Sequence, residues 1–220
     1  KGTGKAKNDI KTNSVSLYAD YATKTGYIEA SLTYGRSDNK TSRLVDSAGL
    51  SRTYSANYDS EQYSFRLSGG IPQNLGGGAF FTPFAGVTIS QIKTDAYTET
   101  STTANDTLRL RVAQDDVDSQ VGTLGVKFHK NIKDGKTTFT PELKLAVNHE
   151  LGDGAITTTN TYQGGGTSFQ NSTAIERTSG TVGLGFNATS DNVTFNIGYE
   201  ADVREKYLGH SAQAKISAKF

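Results

Sequence analysis

The feature that most constrains this chain is an alternation of apolar and polar side chains with a period of two residues. Between 193 and 204, Val193, Phe195, Ile197, Tyr199, Ala201 and Val203 interleave with Thr194, Asn196, Gly198, Glu200, Asp202 and Arg204. Successive side chains on a strand point to opposite faces, so six consecutive matches specify a strand with one apolar and one polar face. The same alternation marks 15–21, 28–34, 63–67, 81–89, 122–128, 143–147, 182–188 and 212–220. It predicts nine strands and an all-β fold.

The connections sort by length. Short ones are predicted at 23–25, 72–78, 132–135 and 189–191, and long polar ones at 37–53, 94–116 and 152–173. They alternate until 204–208, which is short where a long one is due. Tight turns at one end and long loops at the other are the habit of an antiparallel transmembrane β-barrel. The run 107–112, Thr-Leu-Arg-Leu-Arg-Val, sits in a long connection and reads as an extension above the membrane.

Composition narrows the alternatives. With no Cys, disulfides, Cys zinc sites and thiol chemistry are excluded. No run of about 18 apolar residues exists, so the chain has no membrane-spanning helix. A net charge of +1 gives no reason to expect nucleic acid. The opening residues, Lys1-Gly-Thr-Gly-Lys5, fit neither a signal peptide nor a transit peptide, so a mature or trimmed chain is expected. A mean hydropathy of -0.51 alongside 21 Phe plus Tyr is awkward for a soluble globule. The competing reading is a half-exposed soluble sheet with its apolar face in a core. Nine such strands would yield a core mostly of Ala, Val and Leu, bounded by unusually long loops.

Charge decides which face meets lipid. Arg66, Glu142 and Lys144 lie mid-strand, where a lipid-facing charge costs about 2–4 kcal/mol at the midplane. The apolar face is therefore expected to meet lipid and the polar face to line a wet interior. The pore-lining residues predicted on that phase are Asp20, Glu29, Arg66, Lys127, Glu142, Lys144, Glu200, Asp202, Arg204 and Lys215. Their mixed signs suggest a hydrated pore with cross-strand pairs, not a sharply selective channel. Seven glycines share the phase: Gly35, Gly70, Gly86, Gly125, Gly183, Gly185 and Gly198. They either make room for something close to the wall, such as a threaded chain or an aromatic like Phe84 or Tyr18, or relieve strand curvature. Both readings stay open on sequence.

If Phe220 lies at the periplasmic side, the short turns fall there and the long loops outside. Tyr21, Phe81, Phe128, Phe139 and Phe220 then form a lower aromatic girdle, with Tyr34 and Tyr207 above. The first and ninth strands run in the same direction, yet an all-antiparallel barrel closes only with an even number. An open edge in lipid leaves unpaired backbone groups costing several kcal/mol each. The chain is thus expected to lack strands at its N-terminus, to hide one, or to be held open by a partner.

The residues resemble the C-terminal β-domain (translocator) of a monomeric autotransporter of type V secretion, over essentially the whole of 1–220. The resemblance rests on the segments 26–35, 58–69 and 81–86 leading into 93–99, on Phe139-Thr-Pro-Glu-Leu143, and on a final strand ending in Phe. It implies a 12-strand barrel threaded by a helix, of which these would be the last nine strands. It also implies residence in the outer membrane of a Gram-negative bacterium, contact with outer-membrane lipid, and a passenger segment of the same protein passed or displayed outside. Ile216, Ala218 and Phe220 would be the C-terminal assembly signal read by the barrel-assembly machinery. The family usually has Gly a few residues before the last aromatic, and here that position is near Lys215.

A second reading is a self-contained small barrel of eight or ten strands, an adhesin or anchor acting through its long loops. An outer-membrane hydrolase would need His and carboxylates to converge. His129, His149 and His210 fall at different levels and faces, so no catalytic, cofactor or metal site is expected. The Asn-x-Thr matches at Asn39, Asn105, Asn171, Asn187 and Asn192 reflect composition only.

Overall fold

The structure is a computed structural model that describes residues 5–218 except 48, 153, 154 and 206. Phe220 lies outside the described residues. Nine long strands follow one another in chain order: β1 (Lys5–Ala22), β2 (Tyr27–Ser47), β3 (Leu50–Gly70), β4 (Ala79–Thr94), β5 (Val117–Lys130), β6 (Thr137–Glu150), β7 (Thr178–Ser190), β8 (Val193–Arg204) and β9 (Tyr207–Ala218). Each pairs antiparallel with the next in a single meander that curls into a half-barrel. Among the described residues β1 pairs only with β2 and β9 only with β8.

Register makes the two faces continuous. Leu17 is opposite Leu32, Leu32 opposite Phe65, and Phe65 opposite Ile89. Farther along, Phe128, Leu143, Leu184 and Tyr199 form one row. These side chains are open to the surroundings, with Leu17 at 68% and Leu184 at 58% exposure. A soluble sheet would hide such a face. The other face is concave: Arg66 of β3 lines one cavity of about 360 Å³ with Glu142, Gly183, Glu200 and Gln213 of β6 to β9. Lys215 of β9 likewise shares a cavity with Asp20 and Glu29 of β1 and β2.

The outer boundary of the apolar band is sharp. On β2 the outward row Ile28, Ala30, Leu32, Tyr34 gives way to Arg36, Asp38 and Lys40; on β3, Leu67, Phe65, Tyr63 gives way to Glu61 and Asp59. The switch falls at one level, since Tyr34 is opposite Tyr63 and Arg36 opposite Glu61. The Tyr34 and Tyr63 rings lie 5.1 Å apart, both hydroxyls donate to Glu61, and Arg36 pairs with Asp59 at 2.8 Å. At the turn end, Phe81 lies 5.1 Å from Phe128 and Phe139 lies 6.0 Å from Phe186.

One sequence expectation needs correcting. The segment 37–53 is not a long loop: β2 and β3 are each 21 residues and pair without interruption from Tyr27–Gly70 to Ser47–Leu50. At about 3.3 Å per residue the hairpin is close to 70 Å long, about twice what the bilayer needs. The other two long connections, 95–116 and 151–177, contribute strands to a second, four-stranded sheet. Its order is Phe169–Ala174, Ala155–Tyr162, Leu110–Gln114 and Tyr97–Thr98. The extension expected at 107–112 is thus present, as the strand Leu110–Gln114. The tight connections at 72–78 and 131–136 carry short strands of their own.

The lipid-facing assignment has a direct check. Leu145→Arg on the outward row is expected to destabilise the protein by about 2–4 kcal/mol in lipid vesicles, whereas Gln213→Lys on the polar face stays within about 0.5 kcal/mol. Urea titration read by heat-modifiable gel mobility measures both.

Candidate functional site

The concave face carries the charged residues singled out from sequence. Lys144 reaches over β7 to pair with Glu200 at 2.6 Å. It can do so because Gly183 lies between them: a Cβ there would meet Glu200 Cγ and Lys144 Cβ, both at 3.2 Å. Asp20 and Glu29 stand directly opposite each other, a like-charge pair offset by Arg66 and Lys215, which line the same cavity. Asp202 and Arg204 pair at 3.2 Å near the outer rim. Glu142 faces the Arg66 cavity, and Lys127 is directly opposite Lys144.

Lys127 is also the centre of an aromatic cluster near the turn end. Its Nζ is 5.2 Å from the Tyr27 ring centre and 5.5 Å from that of Phe84. Each ring lies over a glycine. A Cβ on Gly70 would meet Tyr27 ring atoms at 2.7–2.9 Å, and one on Gly125 would meet Phe84 at 2.5 Å and the Leu145 carbonyl at 2.6 Å. Gly86 stands 3.0 Å from Ser68, Gly198 3.1 Å from Gln213 and Gly185 3.4 Å from Glu142 by the same measure. Gly35 has ordinary room beside Ser14. None of the seven has positive φ. Close approach by neighbouring side chains is therefore what these glycines permit, most tightly at 70 and 125. Tyr18 does not behave like Phe84; it is 80% exposed.

Ile216 and Ala218 are on the outward phase, opposite Phe195 and Val193. The three histidines do not converge. His129 stacks on Phe80, His149 bonds Thr178 and His210 bonds Tyr199. Among the described residues no cluster of three or more His, Asp or Glu could hold a metal.

A second group of residues escaped sequence reasoning. Where the β2–β3 hairpin rises past the boundary, the four-stranded sheet packs on it and creates the most enclosed part of the protein. Tyr54, Ala56, Leu110 and Val112, four of the six buried apolar side chains among the described residues, are there. Arg43 clamps Glu99 with two bonds of 2.9 and 2.7 Å and lies over the Tyr54 ring. Glu99 also accepts the Leu110 N–H. Arg52 pairs with the enclosed Asp106 at 2.9 Å. Tyr97 stacks on Tyr58 at 4.3 Å, and burial pushes its hydroxyl up to about 12. Burial alone would raise the Asp106 carboxyl, but the Leu108 N–H, the Ser101 hydroxyl, Tyr54 and the Arg52 guanidinium together hold it below the usual carboxylate range. The available signal was that Arg52, Tyr54, Ala56 and Tyr58 continue the phase of Arg66.

Two outcomes follow from this geometry. Gly70→Ala should destabilise by about 1–3 kcal/mol, with most of the effect vanishing in a Tyr27→Ala background, a double-mutant cycle readable by urea unfolding. The depressed Asp106 carboxyl stabilises its surroundings fully above the ordinary carboxylate value near 3.9, and the stabilisation is lost as pH falls through the lower folded value. The protection factor of the Leu108 amide, which donates to Asp106, should therefore fall on acidification in the native protein, and Asp106→Asn should abolish that step.

Comparison with known proteins agrees with this geometry. The family described as "Autotransporter beta-domain" matches residues 2–200. Outer membrane protein A of Rickettsia conorii is 30% identical over 224 residues, and outer membrane protein B of Rickettsia typhi is 29% identical over 224 residues. Each match covers 97% of this chain but only 11% and 13% of the relative, so the chain spans roughly a tenth of their length. Among solved structures, the β-domain of the Bordetella autotransporter BrkA superposes with a TM-score of 0.68 at 20% identity, covering 97% of this chain and 75% of that one. The translocator domain of NalP from Neisseria meningitidis gives 0.68 at 21% identity, covering 97% and 68%. An exposed apolar face around a concave polar one is the arrangement such a domain requires in a bilayer: the chain belongs to the autotransporter β-domain family and resides in the outer membrane of a Gram-negative bacterium.

Proposed function

We propose that residues 1–220 form most of the translocator of a longer surface protein, anchoring it in the outer membrane while an upstream passenger segment is passed to, or displayed on, the cell surface. The observation that carries this reading is the unfinished wall. In its lower half β1 presents Val15, Leu17 and Tyr21 to the surroundings and no strand to its free edge among the described residues. An edge of that kind in lipid calls for further strands, and an odd meander calls for an odd number of them. The family and the length of the relatives make the preceding part of the same protein the natural source.

In this reading the charged residues of the concave face, with Arg66, Lys144 and Glu200 at the centre, line the hydrated lumen. The glycines at 70, 125 and 183 let side chains lie flat so that the lumen keeps its width. Ile216, Ala218 and Phe220 serve as the terminal signal for the barrel-assembly machinery.

One experiment tests the reading. An epitope placed upstream of Lys1 in the full gene product is expected to become protease-accessible on intact cells, and deletion of Phe220 to lower both insertion and exposure several-fold. A gene product no larger than the 23.5 kDa of this chain would overturn the translocator role and favour a self-contained barrel acting through its outer loops.

A further inference from the structure

The four-stranded outer sheet lies entirely on one side of the wall. The connection that carries it grips the raised hairpin through Arg43, over the Tyr54 ring, Arg52 and Tyr58, the phase that faces the concavity lower down as Arg66. The alternate residues Thr53, Ser55 and Asn57 remain exposed on the other side. Because the wall curls toward that phase, a layer laid on it above the rim projects over the opening.

The layer is also supported from two places. The segment 95–116 attaches it to β3, and 151–177 attaches it between β6 and β7. Their strands pair with each other from Thr158–Gln114 to Tyr162–Leu110, so backbone hydrogen bonds bridge the two anchorages. Within the first connection the two-residue strand Thr100–Ser101 belongs to the main sheet, pairing with Ser55 and Tyr54 of β3. The grip comes from two arginines of the hairpin on two carboxylates of one connection, Glu99 and Asp106, whose side chains are 6% and 0% exposed. Separating either pair while the sheet stays seated leaves a buried charge without its partner, so the sheet is either latched or lifted, with little between.

We propose that this sheet is a lid over the outer mouth of the lumen, latched to β2 and β3 by the Arg43–Glu99 and Arg52–Asp106 ion pairs, and that whatever passes the mouth must first lift it. The lid rests on the reading of the concave face as a lumen. It does not depend on what, if anything, is exported.

The test uses the full gene product in the outer membrane of intact cells and reads entry of a bulky hydrophilic antibiotic, vancomycin. Arg43→Ala combined with Arg52→Ala should raise entry about tenfold, the shift in open population that about 1.4 kcal/mol of lost closing free energy produces. The chain has no cysteine, so Ser55→Cys with Thr100→Cys creates a single cross-strand staple holding to β3 the connection that carries Tyr97–Thr98 and Leu110–Gln114 into the outer sheet. Oxidised, it should lower basal entry by about twofold or more, reversibly on reduction. Unchanged entry in the oxidised staple overturns the lid, and so does unchanged entry in a latch variant that keeps heat-modifiable mobility. If the arginine variant fails to assemble, the staple alone decides. Failure of the upstream epitope to reach the surface would count against export and leaves these readings intact.

Discussion

Inside a bilayer a peptide N–H or C=O has no water to turn to, so every such group within the apolar band must find its partner in a neighbouring strand. That constraint organises this molecule. It explains why nine strands pair in strict succession, and why turns at the lower end are as short as Asp191-Asn192 between β7 and β8. It also explains why the free lower edge of β1 is the least self-sufficient part of the wall. The upper half of the same edge is different in kind. There β1 carries Lys7, Asp9 and Lys11, and water can serve an unpaired backbone that charged side chains guard against casual pairing.

The two faces of the wall answer to different limits. Outward, only apolarity is needed, and Leu, Ile, Val and Phe serve interchangeably. Inward, charged groups must neutralise one another across strands without filling the space they line. The Lys144–Glu200 pair over Gly183 meets both demands, since a side chain at 183 would either displace the pair or push it into the cavity. Tyr27 over Gly70 and Phe84 over Gly125 follow the same logic with rings, and Lys127 between them gives the cluster a polar tip facing water.

What sequence reveals here tracks where the environment is two-sided. Positions 15–21, 28–34 and 182–203 alternate because the exposed face is apolar and the concave face polar, so the number of long strands and the phase of each side chain were legible. Between 37 and 53 both faces are polar, with Arg36, Asp38 and Lys40 outward and Ser37, Asn39 and Arg43 inward, and the period that marks a strand disappears. Nor does a Pro or an Asn-Gly between Ser47 and Leu50 announce the reversal. The outer sheet was hidden for another reason. Its pairings join 110–114 to 158–162, and Glu99 and Asp106 read as ordinary loop carboxylates until Arg43 and Arg52 are brought to them. Of the glycine alternatives, close approach could be told from curvature only when the occupying atoms were known.

The long β2–β3 hairpin has a consequence for the order of assembly. All its pairs are nested about one tip, where Ser47 is opposite Leu50, so each new bond closes a loop only slightly larger than the last, and the ribbon can zip from its tip with little entropic penalty. The outer sheet has no such route. Pairing Leu110–Gln114 with Ala155–Tyr162 closes a much larger loop, because β5 and β6 lie between them in the chain. The hairpin therefore has the smaller closure cost of the two, and its formation is expected to precede that of the sheet that rests on it.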